Sequence, residues 1–76
     1  MAPSPAITDI SDSELIFGES KRIKAMEAAF RREFHLERIR RLRTSTDEFR
    51  VAAIERARDR LLRMGMTAEE ITMRTI

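Results

Sequence analysis

Cysteine is absent from this 76-residue chain, which rules out disulfides and withholds the thiolates that structural zinc most often uses. A chain without cysteine also fits a reducing compartment. Tryptophan and tyrosine are missing too, so any stacking on nucleobases would fall to four phenylalanines, and these are expected in packing. With only two glycines, Gly18 and Gly65, there is no glycine-rich loop to cradle a phosphate. No apolar run approaches the roughly 20 residues of a membrane span. The opening "MAPSPAITDI" has neither the basic region nor the apolar core of a signal peptide. A soluble, cytoplasmic protein is the expectation, with no membrane partner.

Chemistry is equally short of parts. His35 is the lone histidine, and neither i+4 nor i−4 offers a second ligand, since those positions are Ile39 and Arg31. It is expected on the surface. The serines stand at helix starts, where capping explains them. No catalytic, metal or cofactor-binding residue is assigned, and the chain is read as a non-enzyme without cofactors.

What is present is charge, unevenly laid out. Residues 1–20 hold four acids and no Lys or Arg. Residues 21–43 hold nine basic and three acidic side chains, a local +6 inside a chain of net charge +2. A chain this short buries only about 60% of the surface exposed by its unfolded form. Association is therefore an expected support for a marginal core.

Helix starts are strongly marked. A capping box pairs Ser or Thr with a Glu three residues on, each side chain satisfying a backbone N–H of the other. Ser11 with Glu14, Ser45 with Glu48 and Thr67 with Glu70 all fit. Ile10 with Leu15 and Met66 with Ile71 add hydrophobic staples. Gly65 suits the left-handed residue after a helix C-terminus. These signals predict a flexible tail over 1–10 and a single helical domain over 11–76. Within it fall a short or kinked helix from Asp12, a long helix from about Ser20 to Arg43, another from Thr46 to Met64, and a short one from Ala68. Nothing reads as strand. The fold class is all-α, with the two main helices forming an antiparallel hairpin.

On the long helix, Ile23, Met26, Phe30 and Phe34 make one stripe, while Leu36 and Ile39 fall opposite. Only one stripe can meet the second helix. The other needs the tail, the C-terminal helix, a bend near Phe34 or an outside partner, and an outside partner is the expectation. The stretch "RREFHLERIRRLR" packs six arginines into residues 31–43. Arg31, Arg38 and Arg41 lie to one side of the wheel and Arg32, Arg40 and Arg43 to the other, with Glu27–Arg31 and Glu37–Arg41 at ion-pair spacing. Basic side chains aimed at nucleic acid should share a face. The favoured reading is a protein contact through Phe34, Leu36, Ile39 and Leu42, rimmed by Arg32, Arg40 and Arg43. The alternative sets Arg31, Arg38 and Arg41 on a phosphate backbone. Partner classes left open are a larger protein, a second copy of the chain, and nucleic acid.

Two further stretches bear on binding. "SELIFGE" resembles an acidic-apolar anchor, although completion of the hairpin core by Leu15, Ile16 and Phe17 is the favoured reading. "RDRLLRMGMTAEEITMRTI" is similar to a helix-turn-helix in its Gly turn and Thr-capped second helix. It departs from that pattern at Arg60, Leu61 and Arg74, and is read as a generic capped turn. The function expected is non-catalytic binding, as an adaptor, regulator or small structural subunit.

Overall fold

Helix formation begins where the caps predict. In the computed structural model, which describes residues 10–17, 21–44 and 48–76, the Glu14 amide donates to Ser11 Oγ at 3.3 Å and opens α1, Asp12–Phe17. The expected flexible tail lies outside the described residues apart from Ile10, which is buried beside Leu15 as the staple requires. A short turn of helix, α2 (Lys21–Lys24), precedes the two long elements α3 (Ala28–Leu42) and α4 (Arg50–Arg63), and α5 (Ala68–Arg74) ends the chain. No strand occurs among the described residues, so the fold is all-α. None of its helices is long and apolar enough to cross a membrane.

The α4–α5 corner follows its sequence signals closely. Gly65 takes φ +94, and the Met66 amide reaches back to the Leu61 carbonyl at 3.1 Å while the Gly65 amide reaches Leu62 at 3.1 Å. This is the Schellman pattern, which satisfies carbonyls left open at a helix end. Thr67 then caps α5 with a complete box: the Glu70 amide donates to Thr67 Oγ1 at 3.1 Å, and the Thr67 amide donates to Glu70 Oε1 at 3.3 Å.

Two helix boundaries differ from expectation. The predicted helix from Ser20 to Arg43 is interrupted at Ala25–Glu27, and Glu27 caps α3 in an extended conformation with ψ 156. In a straight helix Ile23 would sit about 16 Å along the axis from Phe34. The break re-aims α2 so that Ile23 is fully buried in the same cluster as Phe34. No bend occurs at Phe34 itself, which lies mid-way along a continuous α3. The second correction concerns α4, which starts at Arg50 and not at Thr46; Glu48 and Phe49 form a turn ahead of it. The Ser45–Glu48 box falls partly outside the described residues.

The core has two halves joined at Ile54. Ile10, Leu15, Ile16, Ile23, Phe34, Leu42 and Ala53 fill one, with α1 as its lid. Leu36, Ile39, Ala57, Leu61, Met66 and Ile71 fill the other, closed by α5 and the turn before it. The α3–α4 hairpin is thus covered on one side by α1 and on the other by α5.

Candidate interaction surface

The two-sided core decides the fate of the predicted contact residues. Phe34, Leu36, Ile39 and Leu42 are all buried within this chain. Leu36 and Ile39 do form a second stripe, but Ile71, Met66 and Leu61 cover it from inside the molecule. The expectation that these four side chains meet an outside partner is corrected accordingly. Seven residues of α5, anchored by the Thr67 cap, suffice to close that face.

The arginines are distributed by the same logic. Arg38, only 2% exposed, donates from Nε to the Leu15 carbonyl at 2.9 Å and lies 5.7 Å from the centre of the Phe34 ring. Its Nη1 is 3.3 Å from Nδ1 of His35. A guanidinium only donates, so Nδ1 accepts and the ring proton resides on Nε2, an assignment made from donor chemistry. His35, expected on the surface, is therefore a buried acceptor for a buried cation. Arg41 donates to the Ile10 carbonyl, pairs with Glu37 at 3.0 Å and approaches Asp12 at 3.5 Å. Arg40 donates to the Arg74 carbonyl at 2.7 Å and approaches Glu37 at 3.5 Å. Beyond the 31–43 run, Arg50 donates to the Arg43 carbonyl at 3.0 Å and Arg56 to that of Ile16 at 3.3 Å.

Among the described residues, five arginines thus donate to main-chain oxygens elsewhere in the chain. Four of those acceptors, Leu15, Ile16, Arg43 and Arg74, stand at the C-terminal ends of helices, where carbonyls lack an intrahelical partner and positive charge is favoured. Of the three arginines considered for nucleic acid, Arg38 is buried and Arg41 is engaged, so Arg31, Arg38 and Arg41 do not form one exposed basic face. Of the three considered as a rim, Arg32 and Arg40 are half-buried and Arg43 is exposed. The Glu37–Arg41 pair forms as its spacing predicts. Glu27 makes no ion pair with Arg31, because Glu27 stands outside the helix.

Exposed apolar surface gathers elsewhere. Leu15 and Ile16 of the "SELIFGE" stretch are buried, but Phe17 is 72% exposed. Its ring lies 6.0 Å from that of Phe49, which is 50% exposed, and the planes are tilted by 48°. Val51, at the start of α4, is exposed as well. No family model, no curated protein and no solved structure matches this chain. The surface has to be read on its own chemistry.

Phe17 and Phe49 depart from the packing expected of all four phenylalanines, and for Phe17 a positional signal points the same way. Phe17 directly follows two residues committed to the core, and at 100° per residue α1 cannot bury three in succession. Phe49 stands four residues before Ala53 and so continues the spacing of Ala53, Ala57 and Leu61; its 50% exposure goes against that spacing. Arg50 follows Phe49 directly and is bonded to the Arg43 carbonyl, and Arg56 is bonded to the carbonyl of Ile16, the residue before Phe17. Among the described residues no three His, Asp or Glu side chains come together as a metal-ligand set.

Proposed function

We propose that this chain is a non-catalytic cytoplasmic binding protein that docks on a larger protein through Phe17 and Phe49. The observation that carries the reading is the paired exposure of these rings, half of the aromatic residues in the chain. Single exposed apolar residues are ordinary, whereas adjoining aromatic rings with guanidinium groups beside them have the composition of an interface centre. Arg43, Arg50 and Arg56 favour a partner whose apolar pocket is rimmed by carboxylates. The role is that of an adaptor, a regulator or a small subunit of an assembly.

The test is capture of partners by the tagged full chain from native lysate, with and without nuclease, repeated with Phe17→Ser and Phe49→Ser. Both side chains are exposed, so the fold is expected to survive replacement. Loss of a hot-spot aromatic costs about 2 kcal/mol or more, near thirty-fold in affinity. A nuclease-resistant partner retained at full strength by both variants would sink the reading. A second copy of the chain is the competing occupant, and sedimentation of the purified protein distinguishes it. Companions lost on nuclease treatment would replace the protein partner with nucleic acid.

A further inference from the structure

The N-terminal half of α3 and the C-terminal end of α4 enclose a small cleft, about one α4 length from Phe49. Arg31, His35, Arg60, Arg63 and Met64 line it, and its volume is about 140 Å³. Three of these five side chains are guanidinium groups and none is a carboxylate. Asp59 offsets one of them, through a 3.2 Å pair with Arg63 in which both side chains are mostly exposed. Arg60 has no ion pair among the described residues. Arg31 is the telling member. Its Nε, like that of Arg32 outside the cleft, is buried without a hydrogen-bond partner among the described residues, and the carboxylate spaced to meet it, Glu27, is held at the N-cap and forms no ion pair with it. Arg31 therefore brings to the cleft a charge that no carboxylate among the described residues offsets.

We propose that this cleft binds a tetrahedral phosphoryl oxyanion, held by Arg31, Arg60 and Arg63. Size and charge choose the class. The space is several times the ~30 Å³ share of one water molecule, yet well below the ~300–1,000 Å³ of pockets that enclose a drug-sized ligand. A planar carboxylate presents two oxygens and one charge. A phosphoryl group presents three oxygens and up to two charges, which matches three guanidinium forks approaching from two helices. His35 closes the cleft beside Arg31, and Met64 supplies an apolar wall. The anion would bridge α3 and α4 at the end of the hairpin that has no connecting loop.

Titration of the isotope-labelled full chain with orthophosphate, at constant ionic strength set by chloride, reads the site through the arginine Nε–Hε signals in NMR. Saturable movement of the Arg31 signal is expected. Arg60→Gln, at an exposed position, should weaken the binding about ten-fold, the equivalent of one charge-assisted hydrogen bond. Arg58→Gln, exposed on the same helix and not lining the cleft, should leave it unchanged. A parallel titration with phenyl phosphate separates two sources of the group. Saturation by both supports the end of a larger phosphorylated molecule as occupant, and saturation by orthophosphate alone supports the free ion. Movement that never saturates, or that is the same in Arg60→Gln, would overturn the site.

Discussion

Arg38 shows how far a residue's neighbours can outweigh its type. Arginine is seldom fully buried unless paired, and here burial is sustained by a carbonyl, an imidazole and the face of a ring. Replacing Arg38 with Ala is expected to lower stability by about 2–3 kcal/mol, as for loss of hydrogen bonds to a charged group. Arg38→Lys should recover little of it, because an ammonium cannot spread its donors as a planar fork does. Urea unfolding followed by circular dichroism at the helical band measures both, and a Lys variant of wild-type stability would refute the account. A sign of this burial is present in the sequence. Phe30, Phe34, Arg38 and Leu42 recur at intervals of four, so Arg38 stands inside an apolar row. Reading arginines as surface by type hides it, and hides the role of His35 along with it.

At the scale of elements, local signals are the legible ones. Gly65 and the Thr67–Glu70 box act over four residues, and their geometry follows from backbone chemistry alone. The space beside Gly65 is open, with no atom within 4 Å of the point a Cβ would occupy, so its requirement is purely one of φ. Gly65→Ala should therefore cost about 1–2 kcal/mol, the penalty of a left-handed L-residue, and Gly65→Asn less. Equal stability of the Ala variant in the same urea experiment would show that the turn relaxes. The break at Ala25–Glu27 is not legible, because its residues favour helix and what interrupts them is non-local: Ile23 must join a cluster built by α1 and α3. The second stripe of α3 is visible in its spacing, but seven residues of α5 look too few to cover it.

For the molecule as a whole, the charge that dominates the sequence acts mostly inward. Exposed ion pairs such as Arg63–Asp59 and Arg74–Glu33 contribute little and weaken with salt. The arginine-to-carbonyl bonds have uncharged acceptors and are much less open to screening. Raising sodium chloride from low to physiological strength and beyond should consequently change the unfolding free energy by no more than ~1 kcal/mol. A steep loss of stability with salt, seen in thermal melts across that range, would mean that the ion pairs hold the fold after all. All-α class and hairpin arrangement follow from periodicity and caps. The exposed aromatic pair does not, since it depends on where a loop delivers Phe49 relative to α1.

The five arginine bonds to main-chain oxygen also bear on how such a fold would drift through generations. A backbone carbonyl is present whatever amino acid supplies it, so Ile10, Leu15, Ile16, Arg43 and Arg74 need not keep their side chains for the acceptor to persist. As far as these bonds go, only the donor positions are constrained. In diverged copies of this chain the donor arginines would stand nearly fixed, Arg43 and Arg74 would change freely, and Ile10, Leu15 and Ile16 would vary only among residues that still fill the core. No correlated substitution would therefore betray the contacts that tie α1 and α5 to the hairpin.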